Sequence, residues 1–179
     1  MQRKFMKNLV LRSLPLFIIT LFFVAACGSK QSETNTDNTA VEKAPNFEVT
    51  TVSGDSISLE ESLQNDKPVV IYFTASWCPL CAQNWPALSE VYPEYEDQLT
   101  LVAIGIDPTD DDETMRKLAE EKGFTFPVTR GLPDIMLDYD VESQATTVGI
   151  NKEGNIAFRK NKMVLSADEY RELFDDLIN

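Results

Sequence analysis

The chain has 179 residues, room for one ordinary domain and a targeting segment. Its 16 Lys and Arg face 29 Asp and Glu, a formal net charge of −13, and such a field disfavours nucleic acid and any basic patch for anionic lipid. The absence of histidine removes the usual Cys/His copper and zinc sets and Cys-His hydrolase chemistry.

Residues 1–26 read as a signal peptide. Arg3, Lys4, Lys7 and Arg12 precede an uncharged apolar run from Leu14 to Ala26, which ends in Val24-Ala25-Ala26-Cys27-Gly28. That run is short for a membrane span of roughly 20 residues, and its basic flank and small residues fit export and cleavage better than an uncleaved anchor helix. By resemblance to bacterial lipoproteins, Cys27 would become the lipidated first residue of the mature chain, leaving it outside the cytoplasm and lipid-anchored to a bacterial membrane. Cleavage would leave 12 Lys and Arg against 29 Asp and Glu, about −17 in formal charge, which reads as an aid to solubility. Cys27 and residues 28–43 form a polar tether too poor in apolar groups to fold, holding the domain roughly 20 Å or more from the bilayer. A single domain is expected over residues 44–179.

Within it, Phe47 to Thr51 and Ser56 to Leu59 flank Ser53-Gly54-Asp55 and read as a hairpin. A short helix over Leu59 to Gln64 with Ser58 as its cap follows, and Val69 to Phe73 is an apolar, β-rich strand. Cys81 to Tyr95 carries Trp85, Leu88, Val91 and Tyr92 at helical spacing, with Pro86 interrupting it. The near-continuous apolar run Leu99 to Ile106 predicts a strand covered on both faces. Asp107 to Asp112 then reads as caps and first-turn carboxylates of a helix that ends near Lys122 and is closed by Gly123. Phe124 to Val128 predicts a short edge strand and Asp134 to Tyr139 a helical turn. Thr146 to Ile150 and Ile156 to Phe158 predict an antiparallel hairpin, and Ser166 to Glu169 a capping box before a final amphipathic helix. The expected fold class is α/β, a central mixed sheet with helices on both faces and an extra N-terminal hairpin.

Trp77-Cys78-Pro79-Leu80-Cys81 falls where the apolar strand turns into helix. Cys78 takes the N-cap place and Pro79 the first helical position, where a missing N–H costs nothing. The next backbone N–H groups and the helix dipole then favour a thiolate at Cys78, making it the attacking sulfur, with Cys81 one turn on as the resolving thiol. With Cys27 assigned to lipid, Cys78 and Cys81 are the remaining cysteines; bridging three residues staples almost nothing, so they serve chemistry or metal.

From about Ala44 to its C-terminus the chain resembles the extracytoplasmic, membrane-anchored thiol-disulfide oxidoreductases of the thioredoxin superfamily, the TlpA/ResA-like group. The resemblance rests on the strand Val69 to Phe73, the motif Trp77 to Cys81, Pro86, and the strand and turn from Thr146 to Gly154. It implies a thioredoxin-like fold and a redox-active Cys78–Cys81 disulfide, with no other cofactor. It also implies a substrate groove of Trp77, Pro79, Leu80, Gln144, Ala145 and Thr146. The implied partners are disulfide-containing exported proteins and a membrane thiol electron donor, and the implied role is that of a reductant. Trp85 reads as core. Two other readings use the same residues: a soft-metal module holding Cu(I) or a shared cluster on the two thiolates, and a non-catalytic scaffold. Peroxidase chemistry is disfavoured, because Thr74 lies four residues before Cys78 instead of three.

This chain departs from the group at three positions. Ala145 stands where the group has a cis-proline, and since a cis bond before a non-proline residue costs about 2.5 to 4 kcal/mol, the Gln144–Ala145 bond is expected to be trans. Many members of the group place a buried carboxylate on the central strand, or a Glu three residues after the second Cys, where this chain has Tyr72 and Asn84, which leaves water or a distant group such as Glu48 to deprotonate Cys81.

Overall fold

The computed structural model describes residues 41–179. The signal peptide, Cys27 and the tether up to residue 40 lie outside the described residues. Among those described, no helix is long and apolar enough to cross a membrane.

A two-stranded sheet comes first, β1 (Glu48–Thr50) antiparallel to β2 (Ser56–Ser58). Helix α1 (Leu59–Gln64) follows, capped by the Ser58 side chain on the Glu61 N–H. Next come β3 (Val69–Thr74), α2 (Pro79–Tyr95), β4 (Thr100–Gly105), α3 (Asp112–Lys122), β5 (Val128–Gly131), α4 (Pro133–Asp138), β6 (Thr146–Ile150), β7 (Ile156–Lys160) and α5 (Ala167–Ile178). The main sheet has the order β5-β4-β3-β6-β7, with β3, β4 and β5 parallel and β6 and β7 antiparallel additions. Every residue of β3 is buried, which is why this strand reads as unbroken apolar sequence.

The pleat divides the core into two layers. Val70, Tyr72, Leu101 and Ala103 face one side and pack with Trp85, Leu88 and Val91 of α2, Met115 of α3 and Tyr170 and Phe174 of α5. Val69, Ile71, Phe73, Val102 and Ile104 face the other, beneath Phe47 and Val49 of the hairpin, Leu59 of α1 and Tyr139 and Val141 after α4. Helices therefore cover both faces, as the alternation of elements predicts.

Two prolines lie inside α2, yet the helix continues through both. A proline removes the bond to the carbonyl four residues back. For Pro86 that carbonyl belongs to exposed Ala82. For Pro93 it belongs to Ser89, whose oxygen accepts the Thr125 hydroxyl at 2.8 Å. The expected interruption at Pro86 thus does not end the helix.

The edge strand expected over Phe124 to Val128 begins only at Val128 and runs to Gly131. Phe124 and Phe126 instead stack on each other with centroids 4.6 Å apart, and Phe124 packs on Trp85 at 5.3 Å. Burying Phe126 and half-burying Phe124 outweighs one more rung of ladder, and Pro127 could not donate to that ladder. The hairpin strand expected to stop at Phe158 extends to Lys160. Ordered contacts also begin two residues ahead of Ala44: the Ile156 N–H donates to the Glu42 carbonyl at 2.8 Å, Lys43 bridges to Asn155, and Arg159 forms a bidentate pair with the Glu42 carboxylate. These charged residues resemble the tether in composition, and their partners lie more than 110 positions away.

Candidate active site

Strand β3 delivers the chain to the end of the sheet, where the Cys78 N–H closes a turn on the Ala75 carbonyl at 3.1 Å. Cys78 is the N-cap of α2 with extended backbone (φ −81°, ψ 113°), and Pro79 is the first helical residue. The Cys81 N–H donates to Cys78 Sγ at 3.0 Å. Cys78 and Cys81 form a disulfide across a Cα separation of 5.2 Å. The sulfur that accepts the N–H belongs to the residue with 2% exposure, while Cys81 is fully buried. An amide N–H and a helix N-terminus aimed at one sulfur stabilise its anion, so reduction would leave a thiolate at Cys78 above a shielded thiol.

Around the disulfide, Trp77 is 57% exposed, Pro79 is exposed and Leu80 half-buried. Gln144 is half-buried as well. Ala145 and Thr146, expected in the groove, are instead completely buried. The Ala145 N–H donates to the Phe73 carbonyl at 2.8 Å and its carbonyl accepts the Met163 N–H at 3.0 Å, so both backbone groups are committed inside the fold. The Thr146 hydroxyl donates to the Ser143 carbonyl at 2.8 Å. Ala145 also has a positive φ of 57°, the left-handed region where a Cβ is unfavourable. Neither backbone group of Ala145 is left free to pair with another chain.

Sequence reading missed the connection between β7 and α5, where Met163 and Val164 are 44% and 42% exposed. One buried side chain ties it to the dithiol helix. Asn84 donates to the Leu80 carbonyl at 3.0 Å and the Met163 carbonyl at 2.9 Å, and its oxygen accepts the Leu165 N–H at 2.9 Å and the Tyr170 hydroxyl at 3.0 Å. Both of its N–H donors and its oxygen are occupied. Asn84 is here a structural staple.

Tyr72 lies in the same layer, fully buried, with no hydrogen-bond partner for its hydroxyl among the described residues. Burial pushes the Tyr72 phenol far above the usual tyrosine range, with the neighbouring Tyr170 adding to the effect. Burial also raises Tyr170. Neither can act as a base near neutral pH. Glu48 is exposed on β1, in the hairpin that covers the opposite face of the sheet, where its carboxylate accepts the Ser56 hydroxyl.

The acidic run after β4 divides in a way that its composition hides. Asp111 alone caps α3, accepting the Thr114 N–H at 2.8 Å, and Asp112 and Glu113 occupy the first turn. Asp107 and Asp110 turn the other way. Asp110 is 3% exposed and accepts both the Ser76 N–H at 2.8 Å and the Ser76 hydroxyl at 2.6 Å. Asp107 accepts the Trp77 indole N–H at 2.6 Å. The expectation that both merely start a solvated helix is thereby corrected. Trp85, expected in the core, is buried there and donates its indole N–H to Thr74 at 3.2 Å.

A five-stranded mixed sheet with a helix-capped Cys-x-x-Cys at the end of its central strand defines a thioredoxin-like dithiol protein. The AhpC/TSA family model matches residues 40–159, and the chain belongs to that family. Within it, the chain groups with thioredoxin-like thiol-disulfide oxidoreductases. It is 34% identical over 116 residues to the thioredoxin-like protein YneN of Bacillus subtilis, covering 64% of this chain and 67% of that one. It is 29% identical over 119 residues to the thiol-disulfide oxidoreductase ResA of Halalkalibacterium halodurans, covering 65% of each. The match thus spans about two thirds of the length of these relatives. In architecture the chain is similar to a thiol:disulfide interchange protein of the thioredoxin family from Chlorobium tepidum, with a TM-score of 0.69 at 20% identity over 78% of this chain and 97% of that one. It is also similar to a secreted disulfide oxidoreductase of Mycobacterium tuberculosis, with a TM-score of 0.61 at 28% identity over 73% and 96%.

Proposed function

We propose that this protein is a lipid-anchored, extracytoplasmic thiol-disulfide oxidoreductase that reduces disulfides of exported proteins through Cys78 and Cys81. The observation that carries this reading is the Cys81 N–H on Cys78 Sγ at the capped start of α2. In the reduced protein the Cys78 thiolate attacks one sulfur of a substrate disulfide. A mixed disulfide forms, and the other substrate sulfur leaves as a thiolate that takes up a proton. Cys81, having lost its proton to solvent, then attacks Cys78 Sγ. The first substrate sulfur leaves, the substrate has gained two electrons, and Cys78–Cys81 is again a disulfide.

A membrane thiol donor supplies the two electrons that reopen it. Among the described residues no carboxylate or phenol is hydrogen-bonded to Cys81, and the chain has no histidine, so water takes its proton. Trp77, Pro79, Leu80 and Gln144 form the groove for an extended substrate, and the lipid on Cys27 keeps the domain within reach of the donor.

Insulin reduction by the protein lacking residues 1–27 tests the chemistry. Cys78→Ser should abolish it, and Cys81→Ser should accumulate the mixed disulfide. Turnover by Cys78→Ser would defeat the mechanism. Equilibration of the pair in defined thiol buffers sets the direction: a potential near −270 mV, as in thioredoxin, makes it a reductant, whereas one near −120 mV makes it an oxidant. Stoichiometric metal in the reduced, untagged protein would favour the soft-metal reading instead.

A further inference from the structure

Asp110 is a buried carboxylate for which the exchange chemistry has no direct use. Its side chain is nearly sealed from solvent, and among the described residues no Lys or Arg lies within ion-pair distance of it. Removing a carboxylate from water without a cation is costly unless strong donors replace the water. Here both donors come from one residue, Ser76, whose N–H and hydroxyl each bond a separate carboxylate oxygen. Ser76 is the second residue of the turn that Ala75 and Cys78 close, two positions before the capping sulfur.

The loop that carries Asp110 is itself anchored. The Asp110 N–H donates to the Asp107 carbonyl at 3.0 Å, and its carbonyl accepts the Gly131 N–H at 2.7 Å at the end of β5. Gly131 is glycine for a steric reason: a Cβ there would overlap the Asp107 carbonyl oxygen. A rigid strand end therefore supports the loop, the loop holds the carboxylate, and the carboxylate holds the turn that presents Cys78. Asp107 is the other carboxylate bonded into the same turn, through Trp77.

We propose that Asp110 is a positioning residue for the dithiol: it acts through Ser76 to seat Cys78 so that the Cys81 N–H reaches its sulfur. The proposal rests on the exchange reading, in which Cys78 is the attacking sulfur. Its role is geometric, because the negative charge alone, placed near a thiolate, would oppose ionisation of Cys78. The two effects have opposite signs, and a pair of variants separates them.

The experiment is alkylation of the reduced protein by iodoacetamide across pH, with trapping of Cys78 read by peptide mass. Asp110→Ala releases the turn and weakens the N–H bond to the thiolate, so the midpoint of trapping rises by about half a pH unit or more. Asp110→Asn keeps an acceptor for the Ser76 N–H and removes the charge, so its midpoint stays at or below that of the native protein. Ser76→Ala loses one of the two bonds and shifts the midpoint up by less than Asp110→Ala does. This variant decides the matter if Asp110→Ala does not fold. A fall in both Asp110 variants would show a charge effect and overturn positioning, and unmoved midpoints in the variants that fold would overturn the proposal altogether. Insulin reduction by the native protein is measured alongside. If it is absent, the exchange reading fails, while the trapping midpoints still decide the role of Asp110.

Discussion

The indole N–H of Trp77 donates to Oδ2 of Asp107 at 2.6 Å, while Oδ1 of the same carboxylate accepts the Thr109 hydroxyl at 2.7 Å and the Thr109 N–H at 2.8 Å. These Thr109 bonds, side chain first and then backbone, together with Trp77 hold Asp107 below the usual carboxylate range, so the acceptor stays ionised further into acid than a free carboxylate. An apolar ring that is more than half exposed is thus fixed in orientation beside the disulfide, instead of sampling rotamers.

Asp107 should therefore influence substrate binding only through Trp77. Trp77→Phe and Asp107→Ala are each expected to raise the KM for insulin severalfold with little change in kcat. The double variant should be no worse than the poorer single one, because both changes remove the same bond. Additive losses in steady-state kinetics would show that the two residues act separately.

The pH dependence of exchange follows from the raised phenols. Tyr72 and Tyr170 stay protonated far above neutrality because burial opposes their anions, and the chain has no histidine. Between about pH 5 and 9 the rate of insulin reduction should rise with a single ionisation, that of the Cys78 thiol, and then level off. A second ionisation on the rising limb would reveal a proton acceptor for Cys81.

Asn84 predicts a large stability loss. Asn84→Ala strands the Leu165 N–H and the Tyr170 hydroxyl and opens a cavity under the dithiol helix, which should cost roughly 2 to 4 kcal/mol in urea unfolding. Asn84→Asp keeps the acceptor but sets a buried carboxylate oxygen against the Leu80 and Met163 carbonyls, so it should be no more stable than Asn84→Ala.

At Ala145 the resemblance and the geometry point in opposite directions. Ala145→Pro would restore the residue of the related group, yet here it removes the N–H that bonds Phe73 and conflicts with a φ of 57°. It should destabilise by about 3 kcal/mol or more. Ala145→Gly relieves the left-handed backbone and should range from neutral to about 1 kcal/mol more stable. Thermal and urea unfolding of the two variants check both signs.

Much of this molecule is legible before folding because its signals are local. An N-cap sulfur, a proline at the first helical position, a Ser58 cap, a Ser166 capping box and a left-handed Gly123 are all settled within four or five residues, and the structure places each as its spacing predicts. The alternation of apolar strand and amphipathic helix likewise yields the layered sheet, since each element must bury one face. What the sequence could not disclose depends on partners far along the chain. Asp107 and Asp110 look identical to their neighbours Asp111 and Asp112 until β4 sets them against Ser76 and Trp77, more than 30 positions earlier in one case and 30 in the other. Asn84 gains its meaning from the Met163–Leu165 segment about 80 residues on. The backbone of Ala145 is committed because Phe73 of β3 lies on one side of it and Met163, in the connection to α5, on the other. The Cys-x-x-Cys is thus written in a pentapeptide, while the bonds of Asp110 to Ser76, of Asn84 to Met163 and Leu165 and of Ala145 to Phe73 exist only once the sheet has brought distant carboxylates, amides and carbonyls within hydrogen-bonding distance.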